Sequence, residues 1–254
     1  MRVFVLTQNE PFFLLDNFKY LMANLADDIE VVGCVIFQGS PFGKKQSFLG
    51  KAFNTFKTFG SYFFLYYGLW FVANKLLRKP SIEEFMKSQS IPVVPIIGDV
   101  NSEESLDLIR SFQPDLLISI AGNQIFKTKL IEIGPKGCIN LHTGLLPKYR
   151  GLMPTFWALK NKEESIGVSV FFVDEGVDSG PIICQQRVTV DDNSHKDIIK
   201  ITKKIGMDLI LEAIDKIKTG NYILRTNNDE ESSYFSFPTR SDVQEFKRNG
   251  GKFF

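Results

Sequence analysis

Short apolar runs of strand length recur along this chain, and the segments between them carry helix-start signals. Residues 1–7, 31–37, 91–97, 116–120, 137–141 and 165–173 are each nearly continuous in apolar side chains. Strands covered on both faces have this character, whereas strands with one wet face alternate. Ser81 with Glu84, and Asn101 with Glu104, have capping-box spacing and predict two short helices. A helix is expected after Pro11 and another after Pro154. Over 194–218, Ile198, Ile201, Ile205, Leu209, Ala213 and Ile217 keep helical intervals until Gly220 stops the helix. Strands alternating with helices predict an α/β fold, a Rossmann-like, mainly parallel sheet with helices on both faces.

A chain of 254 residues can bury an ample core without disulfides or a structural metal. The expected organisation is one catalytic domain over 1–220, with an insertion at about 41–80 and a short C-terminal extension over 221–254. Cys34, Cys138 and Cys184 lie far apart without C-x-x-C pairing, as expected for buried, reduced thiols in a cytoplasmic protein. The start has no basic n-region with a long apolar stretch, so no signal peptide is expected. His142 and His195 are the only histidines, which excludes a multi-histidine metal centre, and no metal site is predicted. With 30 basic against 29 acidic side chains, a globally basic nucleic-acid binder is excluded.

That near-neutral balance hides a local excess. No carboxylate occurs between Glu30 and Glu83, while Lys44, Lys45, Lys51, Lys57, Lys75, Arg78 and Lys79 all fall there. Eleven aromatics crowd the stretch from Phe48 to Phe71. Its unbroken apolar run is too short for the roughly 20 residues of a membrane-spanning helix. Leu49, Phe53, Phe56, Phe63, Tyr66 or Tyr67, Trp70 and Leu77 recur at helical intervals, with Gly60 as a break. Three readings of residues 48–77 stand side by side. They form a helix lying peripherally on the inner membrane face, or a homodimer interface or hairpin packed on the core, or an RNA-binding patch.

The stretch 116–186 carries the chemistry. Asn140 and His142 flank Leu141 at a strand end, so alternation sends both polar side chains to one face. The carboxyl edge of a parallel sheet is where ligands of open α/β folds sit. Farther on, Asp174, Glu175 and Asp178 lie among glycines. Amide, imidazole and carboxylate are the groups acyl transfer needs: an oxyanion donor, a proton-handling ring and a group orienting that ring. On residue types alone, N-x-H is more often a hydrogen-bonded loop anchor than a catalytic pair. His195, at the start of the long helix, is expected at the surface.

The sequence Asn140-Leu-His142, followed by Leu145-Leu-Pro-Lys-Tyr-Arg150-Gly151 and by Asp174-Glu-Gly-Val-Asp178-Ser-Gly-Pro-Ile182, resembles the formyltransferases that use 10-formyltetrahydrofolate. The resemblance is close over about 70 residues and general over roughly the first 215. It implies that Asn140, His142 and Asp178 are catalytic and that 10-formyltetrahydrofolate is the formyl donor. It also implies a backbone-lined pterin slot including Gln124, Ile125, Phe126, Asp174, Glu175 and Gly176. Arg150, Trp157 and Glu10 are candidate acceptor contacts, with solvation or core packing as alternatives for Arg150 and Trp157.

Departures from the family pattern narrow the acceptor. The segment after the first strand reads Thr7-Gln-Asn-Glu10-Pro11 and lacks the glycine-rich phosphate loop of glycinamide ribonucleotide enzymes. Some 35 residues follow Gly220, too few for the basic C-terminal domain of methionyl-tRNA enzymes. An amino sugar on a nucleotide or lipid carrier, in cell-envelope glycan synthesis, is the expected acceptor. Transfer to tRNA, hydrolysis of the donor, and a non-catalytic folate- or sugar-binding module are the alternatives.

Overall fold

The computed structural model describes residues 1–37, 47–96 and 98–254. The part of the expected insertion holding Lys44 and Lys45, and Ile97 of the expected third strand, lie outside them. In chain order the described elements are β1 (Arg2–Gln8), α1 (Leu14–Ala23), β2 (Glu30–Phe37), α2 (Phe48–Phe59), α3 (Ser61–Leu76), α4 (Ile82–Ser88), β3 (Val93–Val94) and α5 (Glu103–Arg110). They continue with β4 (Leu116–Ile120), α6 (Thr128–Ile131), β5 (Cys138–His142), β6 (Arg150–Gly151), α7 (Pro154–Lys160) and β7 (Ser165–Phe172). The last are β8 (Ile182–Thr189), α8 (His195–Thr219), β9 (Tyr234–Phe235) and α9 (Arg240–Arg248).

Seven strands form one sheet in the order β3-β2-β1-β4-β5-β7-β8. Pairing is parallel from β3 to β5 and antiparallel for β5 with β7 and β7 with β8. The chain leaves β1 towards β2 and β3, then returns to β4 on the other side of β1. That reversal is a topological switch point, where the carboxyl ends of the strands part and leave a crevice. The apolar runs produce this arrangement because both faces are covered. One cluster joins Val3, Val5, Ile118 and Ile139 to Leu14 and Phe18 of α1 and Ile210 and Ile214 of α8. The other joins Phe4, Leu6 and Leu117 to Leu106 and Ile109 of α5.

Local signals set most boundaries. Ser81 and Glu84 form the predicted reciprocal capping box on α4. Gly220 caps α8 in the left-handed region, at φ 70°. The second box is corrected by one position: Ser102 caps α5 by accepting from the Ser105 amide, because Asn101 is occupied with Asp99, Ile125 and Lys127. The expected third strand shortens to Val93–Val94, between Pro92 and Pro95, neither of which can donate to a ladder. All three cysteines are buried and free, and burial pushes the Cys34 and Cys184 thiols up to about 12. His195 is corrected from surface to core: it is 4% exposed, with its ring against Phe156 and Phe253.

The aromatic segment forms two helices broken at Gly60. Its expected single apolar face is corrected to two. Phe63, Tyr67 and Trp70 turn inward, Trp70 packing on Phe12 and Phe13 at ring separations of 5.0 and 5.3 Å. Tyr66 stacks on Phe254 at 3.8 Å and Lys196 lies over Tyr66 and Trp70. Asn74, buried in α3, donates to the Pro11 carbonyl at 3.0 Å. Leu49, Phe53 and Phe56 of α2 face solvent instead. No helix among the described residues is long and apolar enough to cross a membrane.

Candidate active site

A cavity of about 460 Å³ opens at the carboxyl ends of β1, β4 and β5, lined by Gln8, residues 119–126 and residues 140–143. Asn140, His142 and Asp178 all line it. Asn140 and His142 reach it from β5, where alternation puts Leu141 on the opposite face against α8. Gly206 of α8 makes that packing close, since a Cβ there would stand 2.7 Å from a Leu141 methyl.

The two ring nitrogens of His142 are both engaged. Nε2 donates to the Tyr149 carbonyl at 2.7 Å, and Nδ1 lies 3.5 Å from Asp178 Oδ2. Asp178 Oδ2 also accepts from the Gly151 amide at 2.8 Å. Gly151 has φ 92°, and an added Cβ would meet the Phe235 carbonyl at 2.2 Å, so only glycine lets the backbone pass here. The side-chain amide of Asn140 is half-buried at the cavity wall and has no hydrogen-bond partner among the described residues.

Asp178 adopts a left-handed backbone, φ 51°, which is uncommon outside glycine. It is held there by Asn227, whose side-chain amide donates to the carbonyls of Asp178 and Gly180 at 2.8 and 2.9 Å. Arg150 in turn donates to Asn227, to both its backbone carbonyl and its Oδ1 at 3.0 Å, and to Asp229 at 2.7 Å. The segment after α8 is therefore built into the wall of the site. Asp174 accepts from the Gly176 amide and the Ser179 hydroxyl, ordering the same loop.

Gln124, Ile125, Phe126, Asp174 and Gly176 line the cavity as expected for a slot of backbone and apolar groups. Four expected contacts are corrected. Glu175 turns away and accepts from the Thr128 hydroxyl. The Arg150 guanidinium is spent on Asn227 and Asp229. Trp157 is buried against Phe235 and donates to the Ser236 carbonyl at 3.0 Å. Glu10 accepts from the amides of Phe12, Phe13 and Leu14, the open amino end of α1.

Lys203 of α8 is a site residue that sequence reading passed over, because it is one of several lysines on a long helix. It lines the cavity, half-buried, with no hydrogen bond or ion pair among the described residues. Burial lowers its pKa, opposed by the charge of Glu10. Its amino group is one of the few charged groups among the apolar and backbone surfaces of the cavity.

A family model described as formyl transferase matches residues 97–214. The methionyl-tRNA formyltransferase of Kosmotoga olearia is 33% identical over 170 residues, 66% of this chain and 54% of that protein. The chain thus spans about half the length of the curated relatives it matches. Among solved structures, a sugar N-formyltransferase from a Shewanella species superposes with a TM-score of 0.62 at 19% identity, covering 98% of this chain and 87% of that one. An N-formyltransferase from Helicobacter canadensis, in complex with folinic acid and dTDP-3-aminofucose, gives 0.58 at 18% identity, covering 95% and 72%. Residues 97–214 thus match the formyl transferase family, and the parallel sheet with its cavity at the switch point agrees with that match.

Proposed function

We propose that this protein transfers a formyl group from 10-formyltetrahydrofolate to the primary amine of an amino sugar borne on a phosphate-containing carrier, nucleotide or lipid. The observation that carries the reading is the presence of Asn140, His142 and Asp178 on one cavity wall. The cavity volume falls in the range of small-molecule sites, and its slot at 120–126 offers backbone and apolar surface to a flat heterocycle. The acceptor amine attacks the formyl carbon of the donor; as the tetrahedral intermediate collapses, the bond from that carbon to the folate nitrogen breaks, and the nitrogen leaves carrying the proton given up by the amine. Asn140, with its amide free, donates to the formyl oxygen as negative charge gathers there, a contribution of about 2.7–4 kcal/mol for one such donor. His142, held between the Tyr149 carbonyl and Asp178, presents its ring beside that oxygen. Asp178 fixes the ring through Oδ2, and its other oxygen takes the proton leaving the amine. Lys203 receives the carrier phosphate.

Two things support a sugar acceptor. The Shewanella sugar N-formyltransferase resembles nearly the whole of this chain, and Lys203 brings an amino group to the cavity wall of a chain that lacks a glycine-rich phosphate loop. A second reading, transfer to methionyl-tRNA, draws on the identity to proteins of that name over 57–66% of the chain. The test is a mass-spectrometric screen of amino-sugar nucleotides and charged initiator tRNA with the formyl donor. One added formyl group on a sugar is the expected result; formylation of the tRNA alone establishes the second reading. Folate release without any acceptor identifies a hydrolase.

A further inference from the structure

α3 is apolar all round, and such a helix is normally buried all round. Here only the inner face is covered, by Phe12, Phe13 and Phe254. On the outer face Tyr62, Leu65, Leu69, Val72 and Leu76 form a stripe at spacings of three and four, each between 50% and 79% exposed. The helix is about 24 Å long, so the stripe runs along one side of the molecule. Leu49, Phe53 and Phe56 continue the same pattern on α2. Contiguous exposed apolar surface of this kind marks an interaction site.

Charge identifies the occupant. Lys57, Lys75, Arg78 and Lys79 are exposed along these helices and enter no ion pair among the described residues. No carboxylate lies between Glu30 and Glu83 in the sequence, and the carboxylates that share a pocket with Lys75 and Lys79 are Glu10, Asp16 and Glu84 from neighbouring segments. A two-fold contact with a second copy places each patch against itself and sets cations against cations. An anionic bilayer neutralises them and accepts the leucines and aromatics into its acyl boundary, while the long basic side chains reach up to the headgroups. We propose that the outer faces of α2 and α3 dock this protein on an anionic lipid bilayer. Asn74 and the Trp70 cluster tie those helices to residues 11–13, between Gln8 and Leu14, which line the cavity. The docked surface is thereby fixed relative to the site.

The test is flotation of the full chain with vesicles of equal parts phosphatidylglycerol and phosphatidylcholine, with phosphatidylcholine alone as control. Vesicle binding is read without the reaction, so its outcome is independent of which acceptor is used. The wild type is expected to float with the anionic vesicles only. L65Q/L69Q, at exposed positions where glutamine keeps the helix, lowers partitioning at least tenfold with an unchanged melting temperature. K57Q/K75Q lowers it roughly 30-fold. Three results overturn the proposal: no flotation of the wild type, equal flotation of the wild type and both variants, or a wild-type dimer that L65Q/L69Q turns into a monomer without any vesicle binding. Binding of single-stranded RNA that K57Q/K75Q abolishes, with no flotation, overturns it as well.

Discussion

The side-chain amide of Asn227 donates to the carbonyl oxygen of Asp178 at 2.8 Å, across 49 positions of sequence. The same amide reaches Gly180, so one side chain fastens both ends of the turn that aims the Asp178 carboxylate at His142. Asn227→Ala is expected to release the turn and lower kcat about 10- to 100-fold, since misplacement by an ångström costs about that much. The donor KM stays near its wild-type value, because Asn227 does not line the cavity. Steady-state kinetics of formyl transfer with both substrates varied checks the split.

Asn140→Ala removes the free amide donor at the cavity wall. The expected loss is about 10²–10³ in kcat, with binding of a folate analogue retained. Calorimetric titration of the analogue alongside single-turnover rates separates the two. Loss of both to the same degree assigns Asn140 to binding rather than to stabilisation of the transition state.

Lys203→Met keeps the length of the side chain and removes its charge. The KM for a phosphate-bearing acceptor is expected to rise roughly 10- to 100-fold, the worth of one charge-assisted hydrogen bond. The donor KM is unchanged. An amino sugar lacking the phosphate carrier shows no such difference between the two proteins.

His195 gives the fold an acid limit. Burial holds its pKa down at about 4, against 6.5 for the free residue. Above pH 6.5 the ring is neutral whether folded or unfolded and the term vanishes. As pH falls from 6.5 towards 4 the unfolded chain takes the proton first, and about 3 kcal/mol of stability is lost across that window. Urea unfolding at pH 7, 5.5 and 4 is expected to show this loss in the wild type. His195→Leu keeps an apolar fill against Phe156 and Phe253 and flattens that part of the profile.

Gly151→Ala tests the close passage of β6 under Phe235. A side chain there meets a backbone carbonyl and a positive φ together. The expected result is a lowered melting temperature and a lowered kcat, because the Gly151 amide also positions Asp178. Thermal unfolding followed by circular dichroism reads the first, and the formylation assay the second.

Much of this protein was legible in its residues because the interactions concerned are local. Apolar runs make strands buried on both faces, Ser81 with Glu84 closes a helix end, and Gly220 supplies a left-handed cap. The N-x-H and D-E-G-x-D spacings likewise foretell which side chains share a strand end and which loop opposes them. The remainder depends on partners distant in sequence. Asn227 and Arg150 acquire meaning because the chain after α8 returns to the Asp178 turn. Lys203 became a site residue through the angle at which α8 crosses β5 over Gly206. His195 went to the core because Phe253 covers it, Trp157 because Phe235 of β9 stacks on it, and Glu10 was claimed by amides that α1 leaves open. Periodicity marked α2 and α3 as amphipathic, but which face is covered follows from where Phe12, Phe13 and Phe254 come to rest.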